Sequence, residues 1–128
     1  MRPNSRVEGD EIERFLAELL SKPNRAEALS WLKGSSEDSS RTLAELGTNA
    51  ESVDLVERAF EAGAVEVIAV EIETYPDGSQ NTGKLVIKLP EDTTARNQVL
   101  KWCNELGEQL GLDPETDFGQ QYTLVMLD

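Results

Sequence analysis

Hydrophobic residues at helical spacing predict two short helices before the serine-rich stretch of the chain. Pro23 cannot continue the first helix, so we expect that helix to end at residues 21–22. Asn24 followed by Glu27 is a capping-box pattern that opens the second helix, and Gly34 marks its end. The apolar stripe of the first helix consists of Ile12, Phe15, Leu16, Leu19 and Leu20. Because so few apolar residues form no core of their own, we expect both helices to pack on the following domain or on a partner.

Beyond residue 40 the pattern predicts the order strand, helix, strand, strand, helix, strand. Thr48 followed by Glu51 is a second capping box, and Gly63 ends the helix that it opens. Residues 64–74 and 84–89 are predicted strands in which every second residue, such as Ile68, Val70 and Ile72, points to the same side. The remaining predicted elements are a first strand at 41–46, a last helix between residues 93 and 111, and a final strand at 121–127.

This order of elements predicts an α+β fold of the split βαβ type, an antiparallel sheet with two helices on one face. The sheet side of the predicted core consists of Ile68, Val70, Ile72, Leu85, Ile87 and Leu89, and the helical side of Val56, Phe60, Cys103, Leu106 and Leu110. The predicted organisation is a helical extension at 1–34, a Ser-rich acidic linker at 35–40 and an α+β domain at 41–128.

The region 41–127 resembles the ferredoxin-like βαββαβ fold in its order of elements. A helix that ends in Ala62-Gly63 and leads into a Val/Ile strand, over Val53 to Glu73, is similar to ACT-type regulatory domains. The glycine-containing loop that such domains place before this helix is represented here by Gly47-Thr48-Asn49. The resemblance implies a regulatory domain that binds an amino acid or another small effector and pairs through its sheet.

Several classes of function are excluded by the residues that the sequence lacks. The chain has no histidine and one cysteine, Cys103, so it supplies neither a Ser-His-Asp or Cys-His catalytic group nor a Cys/His zinc site. It contains neither common phosphate-binding glycine motif. We therefore expect no cofactor.

The net charge and the length of the apolar runs indicate which partners and which location to expect. With 25 Asp and Glu against 12 Lys and Arg, the formal net charge is −13, which disfavours binding to nucleic acid or to an anionic membrane surface. Leu124 to Leu127 is the longest apolar run, far shorter than a membrane span, and no signal peptide is visible. A cytoplasmic protein with a basic protein partner is the expectation.

One surface carries the candidate functional residues. Glu71 and Glu73 are predicted to face Lys84 and Lys88 across a hairpin, on an outward sheet face that also holds Val86. The long connection after the first of these strands begins Tyr75-Pro76-Asp77-Gly78, and long ordered loops often carry function. The predicted interaction surface is Glu71, Glu73, Tyr75, Asp77, Gly78, Lys84, Val86 and Lys88.

Three hypotheses for function follow. The first is a non-enzymatic interaction or regulatory module, such as an inhibitor or immunity-type protein that binds a basic partner. Its contact surface or homodimer interface would be the outward sheet face around Ala69 and Val86, together with the edge strands. The second is a small-molecule sensor with an effector at the helix N-terminus, residues 47–51. The third is an enzyme that uses Glu71 and Glu73 as a carboxylate pair, for which the sequence shows no desolvating pocket.

Overall fold

A computed structural model describes residues 13–109, 117 and 119–127 of the chain. Two predicted core residues, Ile12 and Leu110, lie outside this described part. The first helix, α1, spans 13–21. The further elements are β1 (Ala26–Glu27), α2 (Ala28–Lys33), β2 (Arg41–Leu43), α3 (Asn49–Ala62), β3 (Glu66–Val70), β4 (Glu73–Thr74), β5 (Gln80–Thr82), β6 (Lys84–Lys88), α4 (Thr93–Gln109) and β7 (Tyr122–Met126).

The strands form two sheets, and the fold class is α+β. The larger sheet has the order β1-β3-β6-β7, with every neighbouring pair antiparallel. The smaller sheet has the order β2-β5-β4, in which β2 runs parallel to β5. None of the helices among the described residues is long and apolar enough to cross a membrane.

The ferredoxin-like strand order is not confirmed. A split βαβ arrangement would insert the strand at 84–89 between the first two strands. In the structure, β6 has β3 on one side and β7 on the other, and β2 lies in the smaller sheet. β2 pairs there with Gln80–Thr82, which the sequence predicts as part of a turn-rich loop. Pairing between segments so distant in sequence depends on tertiary packing, which local pattern does not reveal.

The register of β3 against β6 differs from the predicted core by one residue. Ile68 lies opposite Val86, whereas Leu85 lies opposite Ala69 and Ile87 opposite Val67. Directly opposed residues share a face of the sheet. Ile68 and Val70 therefore do not share a face with Leu85 and Ile87, and the predicted inward set was wrong. The sequence pattern does not show which side of each strand faces the main core, because both faces of the sheet are covered by helices.

The main core lies between one face of the larger sheet and helices α2, α3 and α4. Its buried residues include Val67, Ala69, Leu85, Ile87 and Val125 from the sheet and Trp31, Leu32, Val56, Ala59, Val99 and Cys103 from the helices. The Cys103 side chain is buried in this core. Because α2 contributes to this core, the segment before residue 34 and the domain after residue 41 share one hydrophobic centre. The proposed division at 35–40 stays a prediction.

Helix α1 packs on the opposite face of the larger sheet. Leu16 and Leu19 contact a second apolar cluster that includes Ile68, Val70 and Val86. Val86 is fully buried in this cluster, and Ala69 is fully buried in the main core. The prediction that Ala69 and Val86 stand on an open outward face was therefore wrong. The helix packs on that face because packing removes the apolar surface of its leucine stripe from water.

Local capping signals are confirmed at both ends of α3, but for α2 only at its end, where Gly34 is the C-cap. The Thr48 side chain accepts a hydrogen bond from the Glu51 backbone N–H, and Gly63 follows the last turn of α3 at φ +121°. Glu27, not Asn24, caps α2, because the Glu27 carboxylate accepts bonds from the Leu29 and Ser30 N–H groups. The residue pair Ala26–Glu27 extends along β3 instead of forming a first helical turn.

Candidate functional site

Four of the predicted surface residues gather around one polar cleft at a corner of the fold. This acidic cleft has a volume of about 270 Å³. It is lined by Glu71, Glu73, Tyr75, Asn81, Thr82, Gly83 and Lys84. These residues come from the end of β3, from β4 and β5, and from the start of β6, so the fold assembles the cleft where the two sheets meet.

The cleft owes its shape to a bend in the chain at Glu71. The sequence predicts one continuous strand from 64 to 74, but β3 ends at Val70 and β4 begins at Glu73. Glu71 adopts φ +51°, in the left-handed region that residues other than glycine seldom occupy. The bend is held on its outer side by Asn24, whose backbone carbonyl accepts a hydrogen bond from the Ile72 N–H at 3.0 Å. The chain thereby leaves the larger sheet and enters the smaller one.

Thr82 fixes the inner side of the same corner. Its side chain is buried, and its hydroxyl donates to the Val70 carbonyl. The same oxygen accepts a hydrogen bond from the Lys84 N–H at 3.2 Å. One threonine thus links the last residue of β3 to the first residue of β6.

The two carboxylates of the cleft have different partners. The Lys84 ammonium lies 3.0 Å from the Glu71 carboxylate, and both side chains are partly buried. The Tyr75 hydroxyl donates to the Glu73 carboxylate at 3.2 Å, and Glu73 is exposed. The charge of Glu71 is therefore compensated by a cation within the cleft, whereas Glu73 receives a neutral donor and keeps its negative charge available to solvent.

The turn beyond Tyr75 presents the edge of the cleft. Its backbone closes through the Tyr75 N–H to the Ser79 carbonyl and the Gly78 N–H to the Tyr75 carbonyl, each at 2.9 Å. The side-chain and backbone hydrogen bonds from Ser79 lower the pKa of Asp77 below its ordinary value. Gly78 adopts φ +90°, and a β-carbon there would collide with the Asp38 carbonyl oxygen. The serine-rich segment thus lies directly against this turn, which requires glycine at position 78.

The other predicted surface residues lie elsewhere. Val86 is buried under α1, as described above. Lys88 is partly buried at the far end of β6, where it lies opposite Glu66 and Tyr122 and not opposite Glu71 or Glu73. Asp77 and Gly78 belong to the turn and do not line the cleft.

Sequence reasoning missed three residues of the cleft, Asn81, Thr82 and Gly83. The run from Ser79 to Gly83 is rich in turn formers, which concealed the short strand β5. Asn81 supports that strand, because its side-chain amide donates to the Thr42 hydroxyl at 3.0 Å and to the Ala44 carbonyl at 2.9 Å. The only sequence signal that β5 forms a strand was the run of polar residues at 80–82 between two apolar strands.

The carboxylate pair and the helix N-terminus that the sequence singles out are both engaged by other groups of the chain. Glu71 is engaged by Lys84 and Glu73 is open to water, so no desolvated acid–base pair is formed. In the described part of the chain, no three Cys, Asp or Glu side chains are placed to hold a metal ion. At the N-terminus of α3, the Thr48 side chain already accepts a hydrogen bond from the Glu51 N–H, and the Asn49 side-chain amide donates to the Leu32 and Arg41 carbonyls.

Comparison with protein-family models, curated proteins and solved structures gave no match.

Proposed function

We propose that this chain is a non-enzymatic protein-binding module of the cytoplasm that recognises a basic segment of a partner protein through the acidic cleft. One observation carries the proposal. The exposed Glu73 carboxylate and the Tyr75 ring, which is 44% exposed, stand side by side at the mouth of the cleft. A carboxylate beside an aromatic ring matches a Lys or Arg head group, which pairs with the anion and stacks on the ring.

The size of the cleft supports a single side chain as its occupant. Its volume of about 270 Å³ lies below the range of roughly 300–1,000 Å³ typical of pockets for small-molecule ligands. A long basic side chain from a partner would enter with its apolar stem against Tyr75 and its charged end against Glu73.

The overall charge supports a basic partner. The net charge of −13 attracts a positively charged surface and accelerates encounter. Such an interaction weakens as salt rises, because added ions screen charges that lie farther apart than about 10 Å at 0.1 M ionic strength.

The test is affinity capture from the chain's own cell lysate, followed by titration of the purified partner. Glu73→Gln removes one charge from the cleft, and Glu61→Gln removes one charge from the exposed side of α3 as a matched control. We expect Glu73→Gln to weaken binding by about tenfold, a loss of about 1.4 kcal/mol, with Glu61→Gln near the parent value.

A second pair of variants separates the contribution of the Tyr75 ring to binding from that of the Tyr75 hydroxyl. Tyr75→Phe keeps the stacking surface and removes the bond to Glu73, whereas Tyr75→Ala removes both. Equal losses with Glu73→Gln and Glu61→Gln would show attraction to bulk charge and overturn a role for the cleft. Affinity that stays constant from low to high salt, or the absence of any partner, would overturn the proposal as a whole.

A further inference from the structure

The outer edge of β7 has no partner strand in the described part of the chain. β7 is the last strand of the larger sheet, and among the described residues no strand pairs with its outer side. The Leu127 N–H donates to the Gly83 carbonyl at 2.7 Å, and the Leu89 N–H donates to the Gln121 carbonyl at 2.8 Å. Since hydrogen-bonded pairs alternate along an antiparallel ladder, the odd-numbered residues of β7 bond to β6. The N–H and C=O groups of residues 122, 124 and 126 therefore point away from the sheet.

The residues of β7 itself carry none of the sequence features by which edge strands usually resist pairing. Charged residues, prolines and bulges are the common protections. β7 contains no charge and no proline, and its register with β6 runs without a bulge over five pairs. It lies in the longest stretch of the sequence without a charged residue, 118–127, in a chain of which 29% is charged. The opposite edge strand, β1, has two residues, one of which is Glu27.

Apolar surface continues beside the edge. Met126 is 37% exposed, and Tyr122 and Leu124 are half-buried against the cluster under α1. A cavity of about 350 Å³ lies between α1 and the start of β7. Its lining includes Leu16, Ala17, Leu20 and Tyr122. A strand added to β7 would cover this apolar surface in addition to completing the ladder.

We propose that β7 pairs with β7 of a second copy of this chain, antiparallel and two-fold symmetric, to give one continuous eight-stranded sheet. Leu124 would lie on the two-fold axis opposite its own copy, and Tyr122 would lie opposite Met126. Each of these pairs would exchange two N–H···O=C bonds through the groups that now point outward. This proposal does not depend on the function proposed for the acidic cleft.

The charge pattern favours a second copy over a foreign basic segment. A charge at the centre of a two-fold strand pair would meet the same charge on its copy, and β7 has none. A basic segment would find no carboxylate on β7 itself. The net charge of −13 on each copy opposes association at low salt, so dimerisation is expected to strengthen as salt rises. The cleft interaction has the opposite salt dependence, which distinguishes failure of one proposal from failure of the other.

The first test is the mass of the full chain in solution, by light scattering after size exclusion, over a range of concentrations at low and high salt. We expect a species of twice the 14.2 kDa chain mass, favoured by high salt. Met126→Lys places a charge on the edge and should weaken the dimer at least tenfold. Val65→Lys makes the same change at a residue that is 49% exposed away from β7, and should leave the dimer intact.

Backbone amide exchange gives a second measurement that does not depend on a variant. The Tyr122, Leu124 and Met126 amides should be protected at concentrations that favour the dimer and should exchange rapidly on dilution. The Thr123 and Val125 amides bond to β6 and should stay protected throughout. A chain that is monomeric under all conditions, or a dimer that Met126→Lys does not weaken, would overturn the proposal. Unchanged exchange of the three outward amides on dilution would overturn it as well.

Discussion

The Lys84 ammonium lies 3.0 Å from the Glu71 carboxylate, across the corner at which the chain passes from one sheet to the other. Both side chains retain access to solvent, and pairs of this kind contribute about 0–1 kcal/mol to stability. The ion pair therefore does more to orient Glu71 and to neutralise it than to hold the fold together. It leaves Glu73 as the carboxylate of the cleft that is open to a partner.

The left-handed backbone conformation at Glu71 should affect the free energy of unfolding independently of the ion pair. At φ +51°, asparagine is tolerated, but a β-branched residue is strongly disfavoured. Glu71→Asn and Glu71→Val both remove the ion pair, so the difference between them isolates the conformational effect. We expect the valine variant to unfold with about 1 kcal/mol less free energy than the asparagine variant in urea titrations. Equal stability would show that the bend relaxes to an ordinary strand conformation.

Helix α1 should contribute substantially to stability, because it seals one face of the larger sheet. Leu19 is 1% exposed and contacts the cluster around Val86, so Leu19→Ala should lower the free energy of unfolding by about 2–5 kcal/mol. Phe15 lies on the same helix but is 45% exposed, and Phe15→Ala should cost less than half as much. Similar, small effects for the two variants in denaturant titrations would mean that α1 does not stay on the sheet.

Thr82 should matter for the corner through its hydroxyl and not through its volume. Thr82→Val keeps the shape but leaves the Val70 carbonyl and the Lys84 N–H without this partner, which should cost about 1–3 kcal/mol. Thr82→Ser keeps the hydroxyl and should cost less. Thermal or urea unfolding of the two variants measures the difference, and a serine variant less stable than the valine variant would contradict the expected role.

Stability should fall in acid partly through Asp117. The Arg96 guanidinium donates to the Asp117 carboxylate at 2.7 Å, and this bond, with a second from the Gly119 N–H, lowers the pKa of Asp117 below 3.8. Because the folded state binds that proton less readily than the unfolded state, the stabilisation is fully present above pH 3.8. It is lost as the pH falls through the folded-state pKa.

Asp117→Asn tests this dependence. The variant should be less stable than the parent at neutral pH, and the gap should narrow below about pH 4, where the parent carboxylate is protonated as well. Urea titrations at pH 7 and at successively lower pH give the comparison. A gap that stays constant down to pH 2 would show that Asp117 acts through its shape and hydrogen bonds and not through its charge.

The sequence predicted about half of the cleft. Glu71, Glu73, Tyr75 and Lys84 could be found because charges and a turn sequence flank two clear strands. Asn81, Thr82 and Gly83 could not, because a three-residue strand among turn formers has no distinctive period. The bend at Glu71 left no trace in the pattern either, since apolar residues continue to alternate through Ile72.

The sequence by itself determined the elements whose signals are local. The start of α3 at Thr48 and its end at Gly63 follow from capping chemistry, and the apolar cores of β3, β6 and β7 follow from residue composition over five positions each. Hydrogen bonds to the nearest backbone groups decide where a helix starts and ends, so no distant residue is needed to predict the two ends of α3.

The tertiary structure alone decided the sheet partners and the side of the sheet that each residue faces. A period of two shows that Ile68 and Val70 share a side, but it does not show which side meets α1 and which meets the other helices. With helices on both faces, burial is favourable either way, and the choice depends on packing between distant segments. The same packing buried Val86, placed β2 in a second sheet and left β7 at an edge of the larger sheet, the edge on which the dimer proposal rests.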